Sequence, residues 1–277
     1  MTVRAQAHPN IALVKYWGKA DGPGNVPATP SLSLTLSGFC TQTSVRTSDT
    51  GGDVIQLNGA VVRDAKIEQW LTRLRAHFRL PTVHIETGNN FPTASGLASS
   101  ASGFAALITA LNRAFDLGLD RASCSAWARQ GSASAARSLF GGYVTLAAPD
   151  WQAQSLAPTE HWPLEVVVAV TATGPKGISS TEGMRASKAT APYFDAWTQQ
   201  TAADFPAACA AVAQRDFDAL AQIVETSCLR MHALMLATDP PLLYWQPGTL
   251  AAIHELRALR RDGLPVCYTI DAGPQVK

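Results

Sequence analysis

Charge is scarce in this sequence. Only 16% of the 277 residues are Asp, Glu, Lys or Arg, against roughly 25% in an average soluble protein. Basic and acidic residues number 22 and 21, a formal net charge of +1, and Arg260-Arg261 is the one adjacent arginine pair. No basic face for a phosphate backbone can be built from this, which excludes a nucleic-acid reader. At 47% hydrophobic residues the chain is not disordered either. Cysteine is sparse and unpatterned: Cys40, Cys124, Cys209, Cys228 and Cys267 are odd in number and form no CxxC. That excludes a disulfide framework or zinc knuckle and points to reduced thiols in a cytoplasmic protein. The six histidines form no HExxH or HxH pair, so a protein-ligated transition metal is not expected. No apolar run approaches the ~20 residues of a membrane span, and MTVRAQAHPN carries no signal-peptide core.

What is present is a chain long enough for one large domain or two ordinary ones. In Ser31 to Leu36 small polar residues alternate with Leu, the period of a half-buried strand. Thr41 to Ser48 can pair with it, and Asn58-Gly59 marks a hairpin between 54–57 and 60–62. Apolar residues at 67, 70, 71, 74 and 78 predict a helix, followed by a strand over 82–86. A loop of small residues, NNFPTASGLASSASG, leads into a helical stripe at Phe104, Leu107, Ile108, Leu111 and Phe115. Another helix spans 121–130, and a second small-residue loop, GSASAARSLFGG, follows. Beyond the Pro-rich stretch 157–163, Leu164 to Thr171 reads as a buried strand and GPKGISSTEG as a polar turn. Ala-rich helices are expected at about 193–213 and 216–236, a last helix around 250–259, and a strand over 266–270 running into Asp271-Ala272-Gly273-Pro274. The expectation is two α+β domains, 1–163 and 164–277.

Several segments can carry chemistry. A helix N-terminus preceded by glycine and alanine is an anion site, because unpaired N–H groups and the helix dipole favour negative charge. Gly96, Leu97, Ala98, Ser99, Ser100 and Ala101 form such a passage, with hydroxyls at Ser99 and Ser100 for phosphate oxygens or Mg²⁺. No Gly-Lys-Ser/Thr closes it, so it is not a Walker A loop. A helix packed through small residues explains the same pattern equally well. Ser132 to Ser138 repeats the chemistry and adds Arg137, which can fork onto a carboxylate or phosphate, or can be a surface arginine. Lys15 and Lys19 flank Tyr16-Trp17; taken alone, this segment reads as an edge strand with a solvated charged face. Asp271, where a strand meets a Gly-Pro turn, suits a catalytic carboxylate and, more often, a turn cap. Lys176, Ser179 and Ser180 make a third polar loop.

Taken together, AHPNIALVKYWGK (7–19), PATPSLSLTL (27–36), NNFPTASGLASSASG (89–103), GSASAARSLFGGY (131–143), KGISSTEGM (176–184) and YTIDAGP (268–274) closely resemble, in this order, the diphosphomevalonate decarboxylases of the GHMP kinase superfamily. The resemblance runs over essentially the whole chain. It implies a ribosomal-protein-S5-domain-2-like N-terminal domain and a ferredoxin-like C-terminal α+β domain, with the active site between them. It implies ATP and Mg²⁺, and mevalonate 5-diphosphate as a substrate phosphorylated on its 3-hydroxyl and then decarboxylated to isopentenyl diphosphate. Relatives acting on mevalonate 5-phosphate or mevalonate, and a shortened paralogue that only binds ligand, are the alternatives. Residue by residue, Asp271 matches the family's carboxylate at the hydroxyl and Lys15 the lysine beside it. Arg137 matches the grip on the substrate carboxylate, with Ser132 and Ser134 on its loop. Tyr16, Lys19, Ser179, Ser180 and Ala272 match substrate positions, and 96–101 the ATP phosphate loop, with Ser100 reaching Mg²⁺ through the phosphates. A homodimer is also expected by resemblance. Family members continue past the Asp-Ala-Gly-Pro turn, so a C-terminal domain shortened at Lys277 is expected.

Overall fold

A computed structural model describes residues 2–91, 99–172, 174 and 177–277. Gly96, Leu97, Ala98 and Lys176 lie outside the described residues. Nine strands and seven α-helices are described, a mixed α+β architecture as expected. β1 (Val3–Ala7), β4 (Thr41–Thr47), β7 (Val83–Asn89), β5 (Val54–Leu57) and β6 (Ala60–Val61) form one sheet in the order β1-β4-β7-β5-β6. β2 (Asn10–Val14), β3 (Ser31–Thr35), β8 (Tyr143–Leu146) and β9 (Ala153–Ala157) form a second, in the order β2-β3-β8-β9.

Local chemistry explains most of these elements. Asn58 and Gly59 hold φ of 50° and 84°, the left-handed pair that a tight β5–β6 hairpin needs. α1 (Ala65–Arg75) starts where the Asp64 carboxylate accepts from the N–H groups of Lys66 and Ile67. Its buried stripe, Trp70, Leu71 and Leu74, packs with Val45, Ile85, Phe104, Leu107 and Ile108 into the core under the first sheet. α2 (Ser99–Phe115) supplies those last three residues, and α3 (Arg121–Gly131) crosses it at Gly131. A Cβ at Gly131 would lie 2.2 Å from the Phe104 ring, so only glycine allows this approach.

The second sheet is covered by α5 (Phe194–Gln214) and α6 (Phe217–Leu236). Leu13, Val14, Leu32, Leu34 and Tyr143 interdigitate with Ala208, Ala211, Val212, Leu220 and Val224 there. All five residues of β2 are buried as a result. The strand does lie at a sheet edge, but the solvated face expected beside it is absent: Lys15 is 1% and Trp17 3% exposed.

Five expectations fail. Thr41–Thr47 does not pair with Ser31–Thr35: β4 lies between β1 and β7 in the first sheet and β3 between β2 and β8 in the second, because strand propensity does not choose the partner. Ala133–Leu139 is a 3-10 turn rather than an open loop. GPKGISSTEG does not end as a turn, since α4 (Ser180–Thr190) begins inside it with a Ser179–Glu182 capping box. The Leu164–Thr171 run is not a buried strand: Ala169 alone bridges, to Val276, and Val167 and Val170 are 79% and 58% exposed. Nor is 266–270 a strand beyond the Ile270–Val276 bridge. β-Branched residues favour strands only where a neighbouring backbone completes the ladder, and here the pairing reaches one or two residues. α7 (Pro247–Arg261) closes the described helices, starting three residues earlier than its apolar stripe because Pro247 sits in the first turn.

Candidate active site

β2 of the second sheet, α1, α2, the 3-10 turn, α4, α6 and the turn at Asp271 converge on one cleft. On one wall the chain leaves β2 at Lys15, whose N–H donates to Ser227 Oγ on α6 at 2.9 Å. The Lys15 ammonium donates to Asp271 Oδ1 at 2.5 Å. α6 also fixes the residue before Asp271: Ile270 N–H donates to Cys228 Sγ at 3.2 Å, and His232 Nε2 lies 3.3 Å from Ile270 O. Lys277 donates to Asp271 Oδ2 at 2.9 Å. Burial alone would raise the Asp271 carboxyl, but Lys15 and then Lys277 outweigh it and hold the group well below the ordinary carboxylate range. The turn-cap alternative is not what this side chain does.

The opposite wall is built on Arg137, also 1% exposed. Its Nε donates to Ser33 Oγ at 2.9 Å, Nη1 to Ser31 Oγ at 2.6 Å and Nη2 to Asn10 Oδ1 at 3.2 Å. Asn10 in turn donates to Ser138 Oγ at 2.8 Å and Ser134 O at 3.1 Å, tying β2 to the 3-10 turn. Burial lowers Arg137 to about 10, a value at which the guanidinium is still charged at neutral pH. Its three hydrogen bonds go to neutral oxygens, so a cation faces the cleft without a carboxylate partner of its own, a receptor for an anion.

Between the walls a hydroxyl chain runs from Ser100 Oγ to Ser132 Oγ and on to Ser134 Oγ, each step 3.3 Å. Tyr16, Lys19, Asn25, Lys66, Ser180 and Thr181 complete the polar lining, with Ala272 beside Asp271. Burial lowers Lys19 and raises the Tyr16 hydroxyl, which keeps the latter protonated. Gly18, at φ +112°, lets the motif pass under Phe194, whose ring would meet a Cβ at 2.6 Å. Ala12, Trp17, Met184 and Met231 supply an apolar patch in the same cleft. A second, mostly apolar slot opens beside the N-terminus of α2, bounded by Leu57, Ile67, Ile85, Phe104, Leu107 and Ser99, and Lys66 lines both spaces.

Residues 7–157 match the family model for the diphosphomevalonate decarboxylase-like N-terminal domain, and 166–276 that for the mevalonate 5-diphosphate decarboxylase C-terminal domain. The chain belongs to the diphosphomevalonate decarboxylase family. The diphosphomevalonate decarboxylase of Gibberella zeae is 37% identical over 294 residues, spanning 96% of this chain and 77% of the relative. The human diphosphomevalonate decarboxylase is 36% identical over 313 residues, spanning 98% and 75%. Among solved structures, MDDEF in complex with MVAPP, AMPPCP and magnesium superposes with a TM-score of 0.92 at 38% identity, covering all of this chain and 88% of that one. The mevalonate diphosphate decarboxylase from Trypanosoma brucei gives 0.89 at 33% identity, covering 100% and 78%. This chain thus has the GHMP kinase fold of that family.

Within this family member the cleft gathers Lys15, Tyr16, Lys19, Ser100, Ser132, Ser134, Arg137, Ser180, Asp271 and Ala272. Among the described residues, Ser179, Ser99 and Ala101 of the expected set do not line it. The Ser179 hydroxyl is spent on the α4 capping box, donating to Glu182 Oε2 at 2.6 Å. Ser99 lines the apolar slot, and Ala101 is buried inside α2. Sequence reasoning missed Asn10, Ser31 and Ser33 around the arginine, Lys66, and Lys277. The period-two pattern did place Ser31 and Ser33 on one face. It gave no sign that the face is covered by Arg137 instead of water.

Proposed function

We propose that this chain catalyses the ATP-dependent decarboxylation of mevalonate 5-diphosphate to isopentenyl diphosphate, CO₂, ADP and phosphate. The observation that carries the reading is an ionised carboxylate, Asp271, facing an uncompensated guanidinium, Arg137, across a cleft lined by lysines and hydroxyls. Lys19 and Tyr16 suit the 5-diphosphate, and Arg137 the substrate carboxylate, with Ser132 and Ser134 beside it. Asp271 accepts a hydrogen bond from the 3-hydroxyl. Its proton passes to the carboxylate as the hydroxyl oxygen bonds the γ-phosphorus and the bond to ADP breaks. Flanked by lysines, Asp271 is a weak base in the free protein, and the negative charges of substrate and ATP offset that effect once bound. In the second step the bond from the substrate to its carboxylate breaks, its electrons form the C=C bond, and the 3-phosphate leaves. Lys15 stabilises the departing phosphate, and the apolar patch of Ala12, Met184 and Met231 keeps water from the electron-poor carbon.

The triphosphate of ATP fits the N-terminus of α2 and Ser100, and its base fits the apolar slot between Leu57, Ile67, Phe104 and Leu107, with Lys66 between the two. Among the described residues no group of three His, Cys, Asp or Glu can hold a metal. Mg²⁺ keeps most of its waters and binds through phosphate oxygens, so a hydroxyl such as that of Ser100 is a sufficient protein contribution. Bound there, Mg²⁺ would neutralise phosphate charge.

To the same proposal belong the two-domain division at 163/164, supported by the ranges of the two family matches, a homodimer joined through the alanine-rich helices, and a cytoplasmic location. No helix among the described residues is long and apolar enough to cross a membrane. The test of the activity is ADP and CO₂ quantified together from mevalonate 5-diphosphate, ATP and Mg²⁺. Equimolar products are expected. ADP alone would mean a 3-kinase, and turnover only with mevalonate 5-phosphate or mevalonate would reassign the substrate.

A further inference from the structure

Lys277 approaches Asp271 from behind the cleft. Its side chain is 1% exposed, its ammonium lies 2.9 Å from Asp271 Oδ2, and it does not line the cleft as Lys15 and Asp271 do. Its backbone is fixed as well: Lys277 and Thr269 exchange both N–H···O bonds at 3.0 Å, and Ile270 bridges Val276. That pairing places Lys277 diagonally across from Asp271, a separation a long side chain can span.

We propose that Lys277 is a positioning residue for phosphoryl transfer, fixing the plane of the Asp271 carboxylate and keeping it ionised for the substrate hydroxyl. The inference rests on the decarboxylase reading. A carboxylate held at one oxygen can still rotate about its terminal torsion, which is broad and soft. Held at Oδ1 by Lys15 and at Oδ2 by Lys277, it cannot, and each oxygen keeps a lone pair for the cleft. The groups facing this cluster are Lys15 and Tyr16 after β2, Arg137 from the 3-10 turn, and Cys228 and His232 from α6. Burial keeps the Cys228 thiol protonated and lowers His232 to about 4, so both are neutral near pH 7. The charged neighbours are therefore all cations, and Lys277 is the one held at Asp271's far oxygen, outside the cleft lining.

The test is the pH dependence of kcat and KM for ADP release by Lys277→Met and Lys277→Arg beside the wild-type chain. Asp271 works ionised, so losing the Lys277 charge raises its pKa and moves the acid limb of kcat to higher pH. We expect the Met variant to lose at least about tenfold in kcat with KM for mevalonate 5-diphosphate within about threefold. Its acid limb should rise by about one pH unit, and Lys277→Arg should return the limb to its wild-type position. If the Met variant does not fold, Lys277→Gln keeps a donor without the charge, and its limb must rise too. An acid limb that coincides with the wild type's in a folded, uncharged variant overturns the inference and leaves the activity standing. A wild-type chain that releases no ADP overturns both.

Discussion

The two walls of the cleft hold their buried charge in opposite ways. Arg137 is racked by Ser31, Ser33 and Asn10, all neutral, so its charge is oriented but not balanced. Asp271 lies between Lys15 and Lys277, so its charge is more than balanced before any ligand arrives. The first arrangement sacrifices stability for a receptor, because an unpaired buried cation is costly to desolvate. The second is self-consistent in the free protein, because removing either sign strands the other. One wall waits for the substrate's anion, and the other holds an ionised acceptor ready.

Breaking the second wall should have the largest effect. Asp271→Asn is expected to abolish ADP and CO₂ formation together, a loss of about 10³-fold or more, and to lower stability by about 3 kcal/mol as two buried lysines lose their partner. ADP persisting without CO₂ would show that Asp271 is not the group at the hydroxyl. Arg137→Met sharpens the contrast. It should cost about 10²-fold or more in kcat/KM, through the substrate carboxylate, yet leave the thermal midpoint of the free protein unchanged or higher. A large fall in that midpoint would mean the arginine is balanced after all. The Ser31→Ala, Ser33→Ala double variant keeps the charge and removes the rack, for about a tenfold loss in kcat/KM.

A fourth outcome concerns the α6 side of Asp271. His232 is 3% exposed and burial lowers it to about 4, below its value of about 6.5 in an unfolded chain. Between those values the unfolded state binds the extra proton, so stability falls as pH drops from about 6.5 to 4, by at most about 3 kcal/mol. His232→Gln should flatten that part of a urea-denaturation pH series. An unchanged slope would show that His232 is not the group titrating there.

The first wall was half legible. Arg137 and the alternation of Ser31 with Ser33 stood in the sequence, but an alternating strand reads the same whether its polar face meets water or a guanidinium. The second wall was legible only by resemblance. Asp271 alone reads better as a turn cap, and the contact that decides otherwise spans 256 positions to Lys15. Lys277 carried no pattern at all, since its meaning comes from a backbone pairing with Thr269. The helices and the Asn58-Gly59 hairpin were readable because their signals are local. The run LEVVVAVT misled for the converse reason: strand propensity without a partner strand does not make a ladder.

The most direct test of this account measures ADP and CO₂ together from mevalonate 5-diphosphate, ATP and Mg²⁺, with the wild-type chain and the Asp271→Asn variant side by side. Equal amounts of both products from the wild type, and neither from the variant, are expected. ADP and CO₂ still formed in equal amounts by Asp271→Asn at a wild-type rate would contradict the role of the paired lysines and their carboxylate.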